Sequence, residues 1–365
     1  MTNHIGSLII DLQNHQLTQE EREIINHPLV GGIILFARNY ESRQQLNALC
    51  ADIKQTRHKP CLIMVDQEGG RVQRFITDFT RLPFMSAFGQ LYDTDPKLGI
   101  KIAKECGWLM ATELLAAAID LSLAPVLDLN KGINHAIGER AFHAQPDVVA
   151  TLAKSYIAGM KAAGMAACAK HFPGHGSVSI DSHHGLPIDE RTLQDIWQHD
   201  LQPFELVIKS GLPAIMGAHI IFQEIDPHPV SYSRKWLHHI LRQQLNFEGL
   251  ILSDDLNMEG ANISSHYRDR IVAAKDAGCD FTLLCNNRQG VIEVLNELPA
   301  ESYQIPAERW MNLRAHFNPK DEYISLPRWQ KINAILSKFS GQSPSSWQQL
   351  QPELLSWDKQ HANDN

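Results

Sequence analysis

No run of lysine or arginine in the chain could track a phosphate backbone, and no apolar stretch approaches the ~20 residues needed to cross a bilayer. The first absence makes nucleic acid a poor partner, and the second leaves no helical membrane anchor to expect. The amino terminus, MTNHIGSLIIDLQNHQ, has no basic segment leading into an apolar one, so no secretory signal is expected and a cytoplasmic location is. The six cysteines, Cys50, Cys61, Cys106, Cys168, Cys279 and Cys285, form no CxxC pair and mostly sit in apolar surroundings; they read as buried thiols of a reducing compartment. GxGxxG is missing after the first apolar run, where a dinucleotide fold would place its phosphate turn. A repeat at solenoid or propeller period is missing too.

What is present suits an enzyme of small molecules. The 365 residues are 44% hydrophobic and 20% charged with a net charge of -8, enough apolar material for one large core and a smaller appendage. Eight short apolar runs recur along the chain: 7–12, 32–36, 62–66, 121–127, 166–171, 214–219, 250–254 and 280–285. Between them, segments such as 97–118, 147–163, 191–210 and 265–277 carry apolar residues at helical spacing. Strands this apolar, alternating with helices, predict an α/β fold of the (β/α)8 barrel type over residues 1–298 rather than an open doubly wound sheet. Residues 299–365, with a helical stretch at 328–339, predict a helical extension packed on the barrel, its last residues disordered.

In such a barrel the chemistry lies where strands end. The third run ends VDQEGGRVQR, the fourth LDLN, the fifth AKHFPGHG, the sixth GAH and the seventh LSDDLNMEG. Helix caps account for one or two such polar endings, but not comfortably for five. After Leu252 come two carboxylates, Asp254 and Asp255; only one can point into the barrel mouth, and periodicity alone does not choose between them. Lys170 and His171 leave the fifth strand together, able to donate to hydroxyls or to a carboxylate. The Pro/Gly-rich segment that follows, 174–187, is poor in apolar residues and predicts a mobile loop over the site. Within it Asp181 and His183 are two apart, so the carboxylate can bind one ring nitrogen while the other faces substrate, which suits general acid/base work. A satisfied surface histidine is the plainer explanation, and His184 reads that way. Around the third strand end, Asp66, Glu68, Arg71 and Arg74 alternate acceptors and donors as neutral polyols require, with Arg140 of GERAF as a further donor; Glu68 and Arg71 read rather as structural salt-bridge residues.

VDQEGGRVQR, GERAF, AKHFPGHG, the loop DSH and SDDLNM, in this order, resemble the bacterial β-N-acetylglucosaminidases of glycoside hydrolase family three. The resemblance covers roughly the barrel and is weakest in the carboxyl-terminal extension. It implies that Asp254 is the nucleophile, that His183 is the acid/base with Asp181 as partner, and that Asp66, Arg74, Arg140, Lys170 and His171 contact the sugar. It also implies a retaining exo-glycosidase of the peptidoglycan-recycling type, releasing GlcNAc from GlcNAc-1,6-anhydro-MurNAc with or without peptide. Neither cofactor nor metal is expected, and a monomer is. Two rival expectations are a phosphorylase on the same scaffold and a metal-dependent hydrolase using His171, His175, His183 and Asp181. Against the metal reading, the first strand has no H-x-H.

Overall fold

The computed structural model describes residues 4–315 and 320–337. Its centre is a closed barrel of eight parallel strands in sequential order: β1 (Leu8–Asp11), β2 (Val30–Leu35), β3 (Leu62–Val65), β4 (Leu121–Ser122), β5 (Ala166–Phe172), β6 (Ala214–Gly217), β7 (Leu250–Asp255) and β8 (Phe281–Leu284). The register runs through pairs such as Leu8 with Thr282 and Ala214 with Leu250. All eight apolar runs read from the sequence therefore contribute a strand.

Alternation along each strand sorts the apolar residues into two cores. Ile9, Met64, Cys168, Met216 and Leu252 fill the barrel, while Ile10, Val65, Ala169, Ile215 and Ile251 face the surrounding helices. At about 25 cal/mol per Å2 of apolar surface removed from water, this double layer is the main stabilising term. The helices are α1 (Gln19–Asn26), α2 (Arg43–Thr56), α3 (Met85–Thr94), α4 (Pro96–Ala116), α5 (Pro146–Ala163), α6 (Leu193–Gln198), α7 (Leu201–Ile208), α8 (Tyr267–Ala277), α9 (Arg288–Glu297), α10 (Ala307–Trp310) and α11 (Pro327–Leu336), with a wide π-type helix at Lys235–Gln244. Among the described residues, no helix is long and apolar enough to cross a membrane.

Two segments differ from the sequence reading. Residues 121–127 were expected as one strand, yet only Leu121–Ser122 is regular, because Pro125 has no N–H to continue the ladder; beyond it, single bonds such as Leu127 N–H to the Lys170 carbonyl (2.6 Å) keep the chain beside β5. Residues 191–210 were expected as one helix and form two, α6 and α7. Between them Asp200 turns its carboxylate inward, where it accepts from Ser177 Oγ (2.8 Å), Lys131 Nζ (3.0 Å) and Arg191 Nη1 (2.7 Å).

The amino-terminal end of the barrel is closed. Ile5–Gly6 pairs antiparallel with Gln304–Ile305, and Trp310 and Leu313 join the residues that fill the interior. Farther on, α11 lies against α4, with Trp329 Nε1 donating to Glu113 Oε1 (2.9 Å) and Arg328 paired with Glu105 (2.6 Å). The expectation of a disordered carboxyl terminus falls outside the described residues.

Candidate active site

At the carboxyl end of the barrel, one cavity of about 340 Å3 is lined by Asp66, Arg74, Arg140, Lys170, His171, Asp181, His183 and Asp254. All eight residues singled out in the sequence are thus brought together. Strand parity explains several of them. Leu62 and Met64 point into the barrel, so Asp66 does too; Leu250 and Leu252 point inward, so Asp254 shares their face, while Asp255, past a register irregularity of the strand, also reaches the cavity lining.

The floor of the cavity is a buried charge network. Lys170 Nζ donates to Asp66 Oδ1 (2.7 Å) and to Glu68 Oε1 (2.7 Å), which leaves one N–H for a ligand. Glu68 also accepts both prongs of Arg140, Nε and Nη2, at 2.8 Å each. Arg140 Nη1 donates to the Ala136 carbonyl (3.1 Å), so this guanidinium is largely engaged within the protein and offers a sugar less than its position suggests. Arg74 reaches Asp66 only at 3.4 Å and keeps donors for the cavity. Burial raises the carboxyls of Asp66 and Glu68, but the cations facing them (Lys170 and Arg74 for Asp66, Arg140 and Lys170 for Glu68) outweigh it and hold both below the usual carboxylate range. Burial likewise disfavours the Lys170 ammonium, and the same two carboxylates reverse this and raise it.

The tight Gly69–Gly70 turn makes room for this network. A side chain at Gly69, whose φ is +113°, would stand 2.2 Å from the Pro83 carbonyl oxygen. Arg71, at the tip of the turn, donates to the carbonyls of His135 (3.0 Å) and Ala136 and lines the cavity without a carboxylate partner among the described residues.

On the opposite side, β7 carries Asp254. Burial raises its carboxyl, but the imidazoles of His171, His219 and His183 and the Asp255 amide outweigh burial and hold it below the ordinary value. Its neighbour Asp255 behaves in the opposite sense. Burial, with the nearby negative charges of Asp254 and Asp11, pushes its carboxyl up to about 7 although it accepts from the Asn257 and Cys285 amides. One strand end therefore carries an ionised carboxylate beside one that holds its proton close to neutrality.

His171 follows Lys170 across a cis peptide, and its Nδ1 meets Asp128 Oδ2 at 2.6 Å. Asp128, fully buried, also accepts from the backbone N–H of His175 (2.7 Å). Asp128 lies within LDLN at the fourth strand end, and an acidic residue in that polar ending is the signal that the sequence offers for it. His219, completing the sixth strand end, is fully buried and meets the Asp255 carbonyl through Nε2 (3.1 Å).

The loop at 174–187 holds the remaining pair. Asp181 Oδ1 meets His183 Nδ1 at 2.7 Å and accepts from the His183 backbone N–H at 3.0 Å, so the carboxylate orients the ring and leaves Nε2 free. The His183 side chain is 60% exposed, in contrast to the buried floor. This loop was expected to be loose, yet its first half is tied down. Asn134 Nδ2 donates to the Val178 carbonyl (2.7 Å), Ser177 Oγ donates to Asp200 (2.8 Å), and a side chain at Gly176 would meet the Leu129 carbonyl oxygen at 1.9 Å. Composition could not reveal these anchors because their partners lie on other elements. As for a metal ligand set, among the described residues no three His, Cys, Asp or Glu side chains are placed so that they could hold a metal ion, and His171, His175 and His183 each turn a ring nitrogen to a different partner.

The geometry agrees with the chain's similarities. Residues 3–314 match the glycosyl hydrolase family 3 N terminal domain. A β-hexosaminidase of Haemophilus ducreyi is 48% identical over 333 residues, covering 91% of this chain and 96% of that protein. NagZ of Neisseria gonorrhoeae in complex with zinc ion superposes with a TM-score of 0.86 at 37% identity, covering 93% of this chain and 99% of that one. The same protein in complex with N-trifluoroacetyl-D-glucosamine gives a TM-score of 0.81 at 37% identity over 98% and 99% of the two chains. The chain belongs to glycoside hydrolase family 3 and, within it, to the bacterial β-N-acetylglucosaminidases, or β-hexosaminidases.

Proposed function

We propose that the protein is a retaining exo-β-N-acetylglucosaminidase that removes terminal GlcNAc from peptidoglycan fragments, GlcNAc-1,6-anhydro-MurNAc with or without peptide, in the cytoplasm. The observation that carries this reading is the meeting of Asp254 with the His183–Asp181 pair in one cavity that also presents Asp66, Arg74, Lys170 and His171.

In the first step Asp254 Oδ attacks the anomeric carbon while protonated His183 gives its Nε2 proton to the departing oxygen, so the glycosidic bond breaks as the ester bond forms. In the second, neutral His183 takes a proton from water, which attacks the same carbon and releases Asp254. The low carboxyl of Asp254 keeps it ionised for attack. Asp181 fixes the ring tautomer and stabilises the imidazolium. Lys170, Arg74, Asp66 and His171 supply the donors and acceptors that sugar hydroxyls need, and Arg140 braces Glu68 beneath them. For substrate preference, the resemblance to the recycling enzymes and the solved relative's amino-sugar complex supply the support.

A fluorinated GlcNAc donor tests the mechanism: a covalent adduct on Asp254 is expected in the mass spectrum, and its absence would overturn the retaining reading. GlcNAc release from GlcNAc-1,6-anhydro-MurNAc faster than from a chitin disaccharide tests the substrate. Equal or reversed rates would overturn the peptidoglycan assignment and leave the glycosidase standing.

A further inference from the structure

His175 is buried, lies in the polar ending of the fifth strand, and has no part in the reaction as written above. Its ring is nevertheless fully committed. Asn134 Oδ1 accepts from the Ala136 and Ile137 amides (2.8 and 3.2 Å), which fixes the orientation of that amide and turns Nδ2, a nitrogen that donates and cannot accept, toward His175 Nδ1 (3.0 Å) as well as toward the carbonyls of Val178 (2.7 Å) and His175 (3.2 Å). Nδ1 must then be the lone-pair nitrogen, and Nε2 carries the hydrogen. That hydrogen points to Ser182 Oγ, 3.0 Å away. Burial, reinforced by the adjacent His171 against the pull of Asp128, holds His175 below the ordinary imidazole range, consistent with a neutral ring.

Ser182 stands between Asp181 and His183 and, unlike His183, is buried. It is held twice, through Oγ by His175 and through its carbonyl by the Gly260 N–H (2.9 Å), on the segment that follows Asp254. At its other end, His175 donates its backbone N–H to the same Asp128 that orients His171. One imidazole therefore spans from the sugar-facing fifth strand to the residue at the centre of the D-S-H triplet.

We propose that His175 is the positioning residue of the acid/base loop: by donating to Ser182 it sets where the His183–Asp181 pair stands relative to Asp254. The inference rests on the reading of His183 as acid/base. Its consequence is that breaking the His175–Ser182 bond misplaces the proton donor without disturbing sugar binding. A displacement of ~1 Å in a reacting group costs about a hundredfold.

The test compares kcat/KM, which reports the bond-breaking step, on an alkyl and on a dinitrophenyl N-acetyl-β-glucosaminide. The alkyl leaving group needs a proton and the dinitrophenyl group does not. Ser182→Ala, which removes one buried oxygen, is expected to lower kcat/KM on the alkyl glycoside by about ten- to a hundredfold and on the dinitrophenyl glycoside by less than about threefold, with the inhibition constant for free GlcNAc unchanged. His175→Leu should match it. His175→Gln, whose side-chain amide can still donate toward Ser182, should regain most of the loss. In a His183→Ala background, Ser182→Ala should cost nothing further, because both changes act through one proton transfer.

Equal losses of Ser182→Ala on both glycosides, a moved GlcNAc constant, or a further loss in the His183→Ala background would each mean a merely structural contact and overturn the proposal. The parent reading fails separately. If His183→Ala itself loses equally on both glycosides, His183 is not the acid; if His183→Ala is selective and Ser182→Ala is silent, only the role of His175 falls.

Discussion

The two sides of the cavity treat charge in opposite ways. On the floor, Lys170 and Glu68 are 3% and 1% exposed, and every charge meets an opposite one at hydrogen-bond distance. At the rim, the His183 imidazole is 60% exposed and pairs with Asp181, its one ion-pair partner among the described residues. Groups that only grip a sugar gain from being fixed in place before it arrives. A group that must give up and take back a proton in each cycle needs both forms accessible, and partial exposure provides this. Asp254 lies between the two regimes, partly buried yet with its carboxyl held low.

Mutations should separate these regimes. The largest effect is expected from Asp254→Ala, which removes the proposed nucleophile: kcat/KM should fall at least about a thousandfold on every aglycone, with the melting temperature nearly unmoved. Loss confined to poor leaving groups would place Asp254 with the rim. Next, His183→Ala should cost about 10²–10⁴ in kcat/KM on alkyl glycosides and little on a dinitrophenyl glycoside. The floor should fail differently. Glu68→Leu strands the buried charges of Lys170 and Arg140, and a loss of about 3–5 kcal/mol in unfolding free energy is expected, read from denaturant titration. A stable but inactive Glu68→Leu protein would show that the network serves recognition alone.

Smaller effects should follow pH. Asp66 and Glu68 have carboxyls lowered on folding, so their contribution to stability is complete above their unfolded values, near 3.8 and 4.5, and is withdrawn as pH falls below them. Acid unfolding in Glu68→Gln should therefore lose part of its steepness below about pH 4.5. Asp255 has the opposite sign. Raised to about 7 chiefly by burial, its protonated form favours the fold at low pH, and that contribution is lost as pH rises through 7. Asp255→Asn, which mimics the protonated acid, should flatten the decline in melting temperature as pH rises from about 4 to about 7, where the unfolded carboxyl has ionised and the folded one has not; an unchanged slope would show that Asp255 is ionised throughout.

Much of this contrast was legible in the sequence, for a reason specific to barrels. A parallel barrel places every strand end on one face, so the polar residues closing VDQEGGRVQR, AKHFPGHG and SDDLNM had to meet. Choosing Asp254 over Asp255 needed the resemblance, because parity is informative only once Leu250 and Leu252 are known to point inward. Partners contributed by distant segments stayed hidden. Asp128 was visible only as a polar ending, and the link from Asn134 through His175 to Ser182 depends on loops whose paths no periodicity describes. The break at Asp200 was equally invisible, since its ligands Lys131 and Ser177 come from before and after the fifth strand. Compact tertiary bonding also overrode composition in the first half of the 174–187 loop.

The closed amino-terminal end has a kinetic corollary. With Ile5, Ile305, Trp310 and Leu313 filling the far end of the barrel, no passage runs through it, so whatever enters leaves again at the carboxyl face. On the mechanism proposed above, the aglycone departs before water attacks the GlcNAc held on Asp254, and free GlcNAc comes out last. An exo-acting enzyme that works in this order releases one sugar per encounter, and accumulating GlcNAc should compete directly with incoming substrate.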